Sequence, residues 1–518
     1  MKFQSLMNAP RFLPSLLRST TTCRLVLNAA RGVAVVFALG QLAGLLPAKP
    51  VTILPLGASI TEGGGNRASY RMPLWELLVG YGYVVEFVGS RSSSERIGPL
   101  RHEGHSGSPA EYLAKHIVEL YQANPADVVL LHAGHNHSTE EHPVGGIVEA
   151  TRQIVAKVRA INPKVIVLVA QPAPKGKLPK YDYLPELNRA LADFAQEDRV
   201  AHAHDAIHPV VLVDQTVGFD WHTDTIADHV HPNPAGTRKI ARRWFAALQK
   251  ILPPPEQVVP EPERIVYKHF DGRELTLSVF RPEAPARRQD PAPAVVYFFG
   301  GGWHLGTPVQ FYRECGRLAV RGMVAISADY RIDATSHSTP FDSVADAKSA
   351  IRWIRAHAGE LGIDPDRIAA AGASAGGQLA AAAAFVPGCD DAADDLKVSC
   401  RPDALVLLYP VLDTGMERYR PRLGGRGLDI SPLQHVSAPV PPMVLFVGEQ
   451  DPVVPPGTVE RFQSRVAAVG GHCRLFVYPN EGHPLWSYRS GENEVSRDVT
   501  AKTEAFFGEL GWIDQAAR

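Results

Sequence analysis

The sequence predicts an α/β protein built in two parts, each a sheet covered by helices. Three observations predict it. Short apolar runs alternate with amphipathic helical stretches along both halves of the chain, the signature of sheet-and-helix layering. At 518 residues the chain is too long for one ordinary core. Finally, "LPPPEQVVPEPERI" (252–265) holds five prolines, which fit neither a helix nor a central strand and so read as a semi-rigid linker. The predicted division is 49–252, a linker at 253–262, and 263–518.

Taken in order, the first part offers the strand candidates "VTILPL", "VVEFVGS", "DVVLLHAG" and "VIVLVAQP". Between them lie the helical patterns "AEYLAKHIVELY" and "GGIVEATRQIVAKVRAI", and Asn233-Pro234 caps a last helix, "NPAGTRKIARRWFAALQKIL". The second part opens with "RIVYKHFDGRELTLSVF", where Asp271-Gly272 between alternating runs predicts a hairpin. Parallel-type strands follow: "AVVYFFG", "MVAISADY", "RIAAAGA", "ALVLLYPV", "MVLFVG" and "RLFVYP". The helix "SVADAKSAIRWIRAHAGEL" lies among them. No internal repeat is visible, so the halves are not copies of one unit.

A formal net charge of −1 leaves no electrostatic footprint for nucleic acid or anionic lipid, which excludes partners of those kinds. Residues 1–48 differ from the rest. They carry Arg11, Arg18, Arg24 and Arg31 without an acidic residue, then the broken apolar run "GVAVVFALGQLAGLLPA" ending at Ala48. That reads as a long export signal, in preference to a membrane anchor or a misassigned start, and places the protein in the periplasm or outside the cell. No stable membrane association is expected. Cys23 would leave with the signal, and Cys315, Cys389, Cys400 and Cys473 would remain. Cys389 and Cys400 bracket the acidic loop "CDDAADDLKVSC"; the pair is either a bridge or two free thiols. The loop itself reads as a solvated turn rather than a calcium site.

In the second part, Gly372-Ala373-Ser374-Ala375-Gly376 follows one strand and opens a helix. A serine at so sharp a turn needs small neighbours and a strained backbone, and it projects its hydroxyl at a helix N-terminus. The glycines of "FFGGGWHLG" follow the first parallel-type strand and expose N–H groups able to hold an oxyanion. Asp451 in "VGEQDPVVP" and His483 in "YPNEGHPLW" each follow later strands, giving the chain order Ser, Asp, His. With "ISADYR" and "DAKSAIRWIRAHAGELGIDPDRIAAAGASAGG", these stretches resemble the α/β-hydrolases, in the hormone-sensitive-lipase-like carboxylesterase branch, over essentially the whole second part. The resemblance implies Ser374 as nucleophile, His483 as base and Asp451 as the residue orienting it. The N–H groups of Gly301, Gly302 and Ala375 would form the oxyanion hole. Phe299 stands where that family often has histidine before the glycines.

The first part has its own serine at a strand end, Ser59 in "LGASIT". "HEGHSG" supplies a loop with Gly104 and Gly107, "LLHAGHNH" places Asn136 past another strand, and "DHVHPNPAG" pairs Asp228 with His231. Asp-x-x-His spacing lets a carboxylate fix the imidazole, and Asn136 plus backbone donors would make a second oxyanion hole at a crevice beyond the strand ends. These pieces resemble the SGNH or GDSL-like hydrolases over nearly all of 49–252, closest in pattern to the acetyl xylan esterases of carbohydrate esterase family three. The resemblance implies Ser59 as nucleophile, His231 as base, Asp228 as its orienter, and Gly107 with Asn136 for the oxyanion, Gly107 being preferred to Gly104. It departs from the motif at Ala58 and His137, where Asp is common. The two resemblances together imply two three-layer α/β/α domains, a flavodoxin-like SGNH hydrolase followed by an α/β-hydrolase.

His102, His105, His132, His135, His137, His202 and His204 crowd the first part. Without thiolates or a four-ligand spacing they read as a polar cleft that binds sugar hydroxyls rather than a metal site. No metal or organic cofactor is expected. The expectation is an exported bifunctional serine esterase that removes acyl groups, acetyl above all, from a polysaccharide such as xylan. Two other readings stand beside it: a general lipid or small-ester carboxylesterase, and a single active second part served by a glycan-binding first part. Each base works as neutral imidazole, so hydrolysis should fall as the histidines protonate.

Overall fold

The computed structural model describes residues 49–65, 67–283, 291–485 and 492–513; the expected export signal and Cys23 lie outside them. The apolar runs of the first half become β1 (Val51–Gly57), β2 (Val85–Phe87), β5 (Val128–His132), β6 (Ile166–Gln171) and β7 (Val211–Asp214). A hairpin of β3 (Arg91–Glu95) and β4 (Gly98–Gly104) adds to them. The sheet order is β3-β4-β1-β5-β6-β7, with β2 also paired to β1, and every pairing is parallel except β3–β4. Its helices include α1 (Ser59–Glu62), α2 (Arg71–Tyr81), α3 (Ala110–Ala123), α4 (Val144–Ile161), α5 (Leu184–Ala201) and α6 (Pro234–Ile251). The Asn233 side chain caps α6 by accepting from the N–H groups of Ala235 and Gly236.

The second half forms an eight-stranded sheet of order β15-β14-β13-β12-β10-β11-β9-β8. Its hairpin is β8 (Glu263–Phe270) and β9 (Arg273–Phe280), turned by Asp271 and Gly272 at φ of 45° and 71°, the left-handed pair that a two-residue hairpin needs. The parallel core is β10 (Ala292–Phe298), β11 (Val324–Ala328), β12 (Ile363–Ala373), β13 (Ala404–Leu408), β14 (Met443–Gly448) and β15 (Cys473–Tyr478). Its longer helices are α7 (Tyr312–Val320), α8 (Pro340–Ala356), α9 (Ala375–Phe385), α10 (Pro456–Ala468) and α11 (Glu494–Glu509). Every residue of α9 is buried, which its alanine-rich sequence permits by keeping the helix thin on all sides.

The described residues form one compact unit, and the proline-rich stretch is docked rather than free. Val259 is buried and its N–H donates to the Tyr81 carbonyl, Gln257 Nε2 donates to Arg313 O, and Glu261 pairs with Arg242. A Cβ on Gly82 would stand 2.2 Å from Gln257 O, so only glycine fits where the stretch crosses the end of α2. One apolar cluster holds buried residues from both sheets, Val259 and Tyr312 among them.

Cys389 and Cys400 are free thiols. The acidic loop between them is not a solvated turn. Asp390 pairs with Arg352, Asp391 with Lys268, and Asp394 with Arg352 and Ser349, so these three of its four carboxylates are neutralised against the flank of α8 and β8. No helix among the described residues is long and apolar enough to cross a membrane.

Candidate active sites

Ser374 stands between β12 and α9 at φ 54° and ψ −116°, a strained conformation for a side chain with Cβ. The turn closes because the glycines two residues to either side lack side chains. A Cβ on Gly376 would lie 2.0 Å from the Phe298 carbonyl oxygen, and one on Gly372 would lie 2.4 Å from the Gly376 carbonyl. Ser374 Oγ is 3.1 Å from His483 Nε2, and His483 Nδ1 is 2.7 Å from Asp451 Oδ2. A carboxylate oxygen can only accept, so Nδ1 carries the ring proton and Nε2 is left to accept from the serine hydroxyl. The other oxygen, Asp451 Oδ1, accepts from the N–H groups of Val453 and Val454 at 2.8 Å each. Asp451 is fully enclosed. The Tyr409 ring meets His483 edge-on at 4.8 Å, a contact that no sequence motif announced.

The glycine loop lies beside this serine. A Cβ on Gly300 would stand 3.4 Å from Ser374 Cβ, and its N–H is already taken by Gln310 Oε1 at 2.7 Å. Gly301 and Gly302 adopt φ of 133° and 62°, which keeps those positions to glycine. Arg422 holds the Gly302 carbonyl. Ala375 is the first residue of α9.

In the first half, Ser59 opens the short helix α1 one residue after β1 and, unlike Ser374, is not at a positive φ. Its Oγ is 2.9 Å from His231 Nε2, and His231 Nδ1 is 2.6 Å from Asp228 Oδ2. Asp228 Oδ1 accepts from the N–H groups of Val230 and His231. Burial works to raise the Asp228 carboxyl, but the His231 ring and these two amides outweigh it and hold it below the ordinary carboxylate value. Asn136 Nδ2 donates to Ser108 O at 2.9 Å, which ties the asparagine to the loop carrying Gly107 and leaves its second hydrogen free of that bond. The two candidate glycines differ. A Cβ on Gly104 would collide with Glu62 of α1 at 2.4 Å, a packing requirement, whereas Gly107 sits at φ 78° with open space around it.

Two further groups in this half had no signal in the sequence. Lys175 Nζ is buried and donates to the Val230 carbonyl at 2.9 Å, in the middle of the Asp228–His231 loop. Burial drives it down to about 7 against the pull of Asp228. Gly176 N–H donates to His229 O at 2.8 Å, so two consecutive residues clamp that loop from behind. The histidine cleft expected from the sequence is corrected in part. His102, His132 and His135 are buried in the fold, and burial first, with nearby cations second, pushes His102 and His132 down to about 3. His105 and His137 instead pair with Glu103 and with Glu111 and Glu141. Among the described residues no group of three or more His, Cys, Asp or Glu side chains is arranged to hold a metal.

Residues 56–239 match the GDSL-like Lipase/Acylhydrolase family, 283–413 the BD-FAE family, and 414–511 the Prolyl oligopeptidase family. Esterase LipC of Mycobacterium tuberculosis is 30% identical over 298 residues, covering 48% of this chain and 70% of LipC. The chain belongs to the esterase family of LipC. Carboxylesterase NlhH of the same species is 40% identical over 144 residues, which is 26% of this chain and 42% of NlhH. Among solved structures, a thermophilic esterase of the Planctomycetes species Thermogutta terrifontis is 38% identical, covering 51% of this chain and 97% of that one, with a TM-score of 0.48. The family matches divide the site residues cleanly. Ser59, Gly107, Asn136, Asp228 and His231 fall in the GDSL-like region, and Ser374 falls in the BD-FAE region with its glycine loop. Asp451 and His483 fall in the third region.

Proposed function

We propose that the chain is a bifunctional serine esterase in which Ser59 and Ser374 each attack an ester carbonyl. The observation that carries this reading is the hydrogen-bonded chain from serine through histidine to aspartate, present twice. In each site the imidazole Nε2 takes the hydroxyl proton as Oγ bonds to the carbonyl carbon, and aspartate stabilises the imidazolium. Gly107 N–H and Asn136 Nδ2 stabilise the oxyanion in the first site; Gly301, Gly302 and Ala375 N–H groups do so in the second. Collapse of the tetrahedral intermediate expels the alcohol, which takes the proton from histidine. Water, deprotonated by the same base, then releases the acid and restores the serine.

The substrate class proposed is a polysaccharide carrying acetyl or similar acyl groups, with export to where such polymers occur. It rests on the likeness of "LGASITEGG", "EFVGS", "HEGHSG" and "HPNPAGTRKIA" to acetyl xylan esterases. A second reading, hydrolysis of small or lipid esters, is favoured by relatives whose names are esterase and carboxylesterase. Acetate release from a panel of acetylated glycans, against aryl acetates and longer acyl esters, separates the two. The panel is run with the native chain, Ser59→Ala, Ser374→Ala and the double variant. Release from glycans that survives each single change and disappears in the double supports two working sites. Glycan binding with undiminished release in Ser59→Ala would make the first half a binding module.

A further inference from the structure

The glycine loop of the second site is held from outside its own half. The tip of the β3–β4 hairpin presents Arg96, and its backbone carbonyl accepts from Gly306 N–H at 2.6 Å. Its Nε donates to Gly306 O at 2.8 Å, so residue 306, where the glycine loop ends, is bound at both amide and carbonyl. The rest of the guanidinium forks onto Asp329, at 2.6 and 3.2 Å, and lies over the Phe299 ring at 5.7 Å from its centre. Next to it, Thr307 Oγ1 donates to Glu76 Oε1 of α2 at 2.7 Å.

Phe299 is the residue that stands where histidine often precedes the three glycines, and its surroundings show what holds the loop here. Its ring stacks on Tyr330 with centroids 4.1 Å apart, and Tyr330 Oη donates to the Phe299 carbonyl at 2.6 Å. Asp329, which Arg96 grips, is the residue before Tyr330 and also accepts from its N–H. One guanidinium therefore touches the start of the glycine loop through Phe299, its end through Gly306, and its support through Asp329. A bidentate arginine pair fixes orientation as well as distance, which is the property needed to hold two amide donors in place.

We propose that Arg96 is a positioning residue for the oxyanion loop of the second site, so that the first half completes the catalytic geometry of the second. The inference rests on Ser374 being the nucleophile of that site. Misplacement of oxyanion donors lowers the rate of the chemical step more than substrate binding.

The test uses the full chain in a Ser59→Ala background, with 4-nitrophenyl acetate as the probe. Arg96→Ala is expected to lower kcat about tenfold to a hundredfold while KM changes little. Arg96→Lys keeps the charge without the fork and should recover part of the loss; Thr307→Val, which cuts only the Glu76 link, should lose less than Arg96→Ala. A merely structural Arg96 would lower the melting temperature and leave kcat of the folded enzyme intact, and that result overturns the proposal. If Arg96→Ala does not fold, unchanged kcat in both Arg96→Lys and Thr307→Val overturns it instead. Full activity in Ser59→Ala/Ser374→Ala would remove the underlying reading of the site and the proposal together. Loss of activity there, with undiminished kcat in Arg96→Ala, sinks the positioning role alone.

Discussion

Asp228 and His231 sit three residues apart on a single loop, whereas Asp451 and His483 are thirty-two residues apart and arrive on separate loops after β14 and β15. In both cases one carboxylate oxygen holds the imidazole and the other accepts two consecutive backbone amides. The two serines differ in the opposite sense: Ser374 is strained at a positive φ, and Ser59 rests at the start of a short helix. The first candidate site thus concentrates its local constraint in the Asp228–His231 loop, and the second in the serine turn. The same hydrogen-bond pattern can be built from local or from long-range contacts, and the two should fail differently.

The largest expected effect tests whether there are two sites to compare. Ser59→Ala and Ser374→Ala should each remove about a millionfold of kcat from their own site. Titration with a fluorophosphonate should label two serines in the native chain, one in each single variant and none in the double. A native chain that labels only once breaks the comparison.

Next comes the carboxylate. Asp451→Asn should cost about ten-thousandfold in kcat, since an enclosed amide imposes the wrong tautomer with no water to substitute. The Asp228 side chain is 32% exposed, so solvent can replace part of what Asp228→Asn removes, and a loss of about a hundredfold is expected. Equal losses measured in single-site backgrounds would mean that exposure does not distinguish the sites.

A smaller effect concerns stability. Gly376→Ala drives a Cβ into the Phe298 and Phe299 carbonyls and should cost about 3 kcal/mol. Gly107→Ala meets no neighbour, and only its positive φ should be felt, at about 1 kcal/mol. Denaturant unfolding of the two variants gives the ratio.

The last effect is one of pH, and its sign differs between the halves. Lys175 is held down to about 7 by burial, so between about pH 7 and 10 the unfolded chain binds a proton that the folded chain has lost. Stability there rises with pH, and Lys175→Met should flatten the rise. In the second half the buried carboxyl oxygens of Glu314 have no hydrogen-bond partner among the described residues. Desolvation pushes this carboxyl up to about 7 despite Arg313 and Arg317. Between about pH 4.3 and 7 the folded chain keeps a proton that the unfolded chain has released, so stability falls as pH rises, and Glu314→Gln should flatten the fall. Melting temperature across both windows checks the two slopes.

Much of this was legible in the sequence because buried parallel strands write themselves as apolar runs and because the serine turn tolerates only small residues. β3 was not, since "RSSSE" is a polar strand at the sheet edge with no buried face to impose alternation. β7 is four residues long, too short for a periodic signal. Lys175 and Arg96 escaped for another reason: their partners are 55 and 233 residues away, and nothing local distinguishes them from solvated cations. The acidic loop at 390–395 was misread in the same way, because its cations come from β8 and α8. Ser59 and Ser374 follow strand ends, His231 stands just before α6 and His483 lies in the loop after β15, and strand and helix positions are what periodicity reveals best.

The hairpin that reaches from the first sheet to Gly306 also bears on inheritance. A recombination event that exchanged either half for a homologue would keep each sheet whole and still sever Arg96 from Asp329. Homologues that contain both halves are therefore expected to change residues 91–104 and 299–330 together, and chimaeras joined within 253–262 should work only when both segments descend from the same parent.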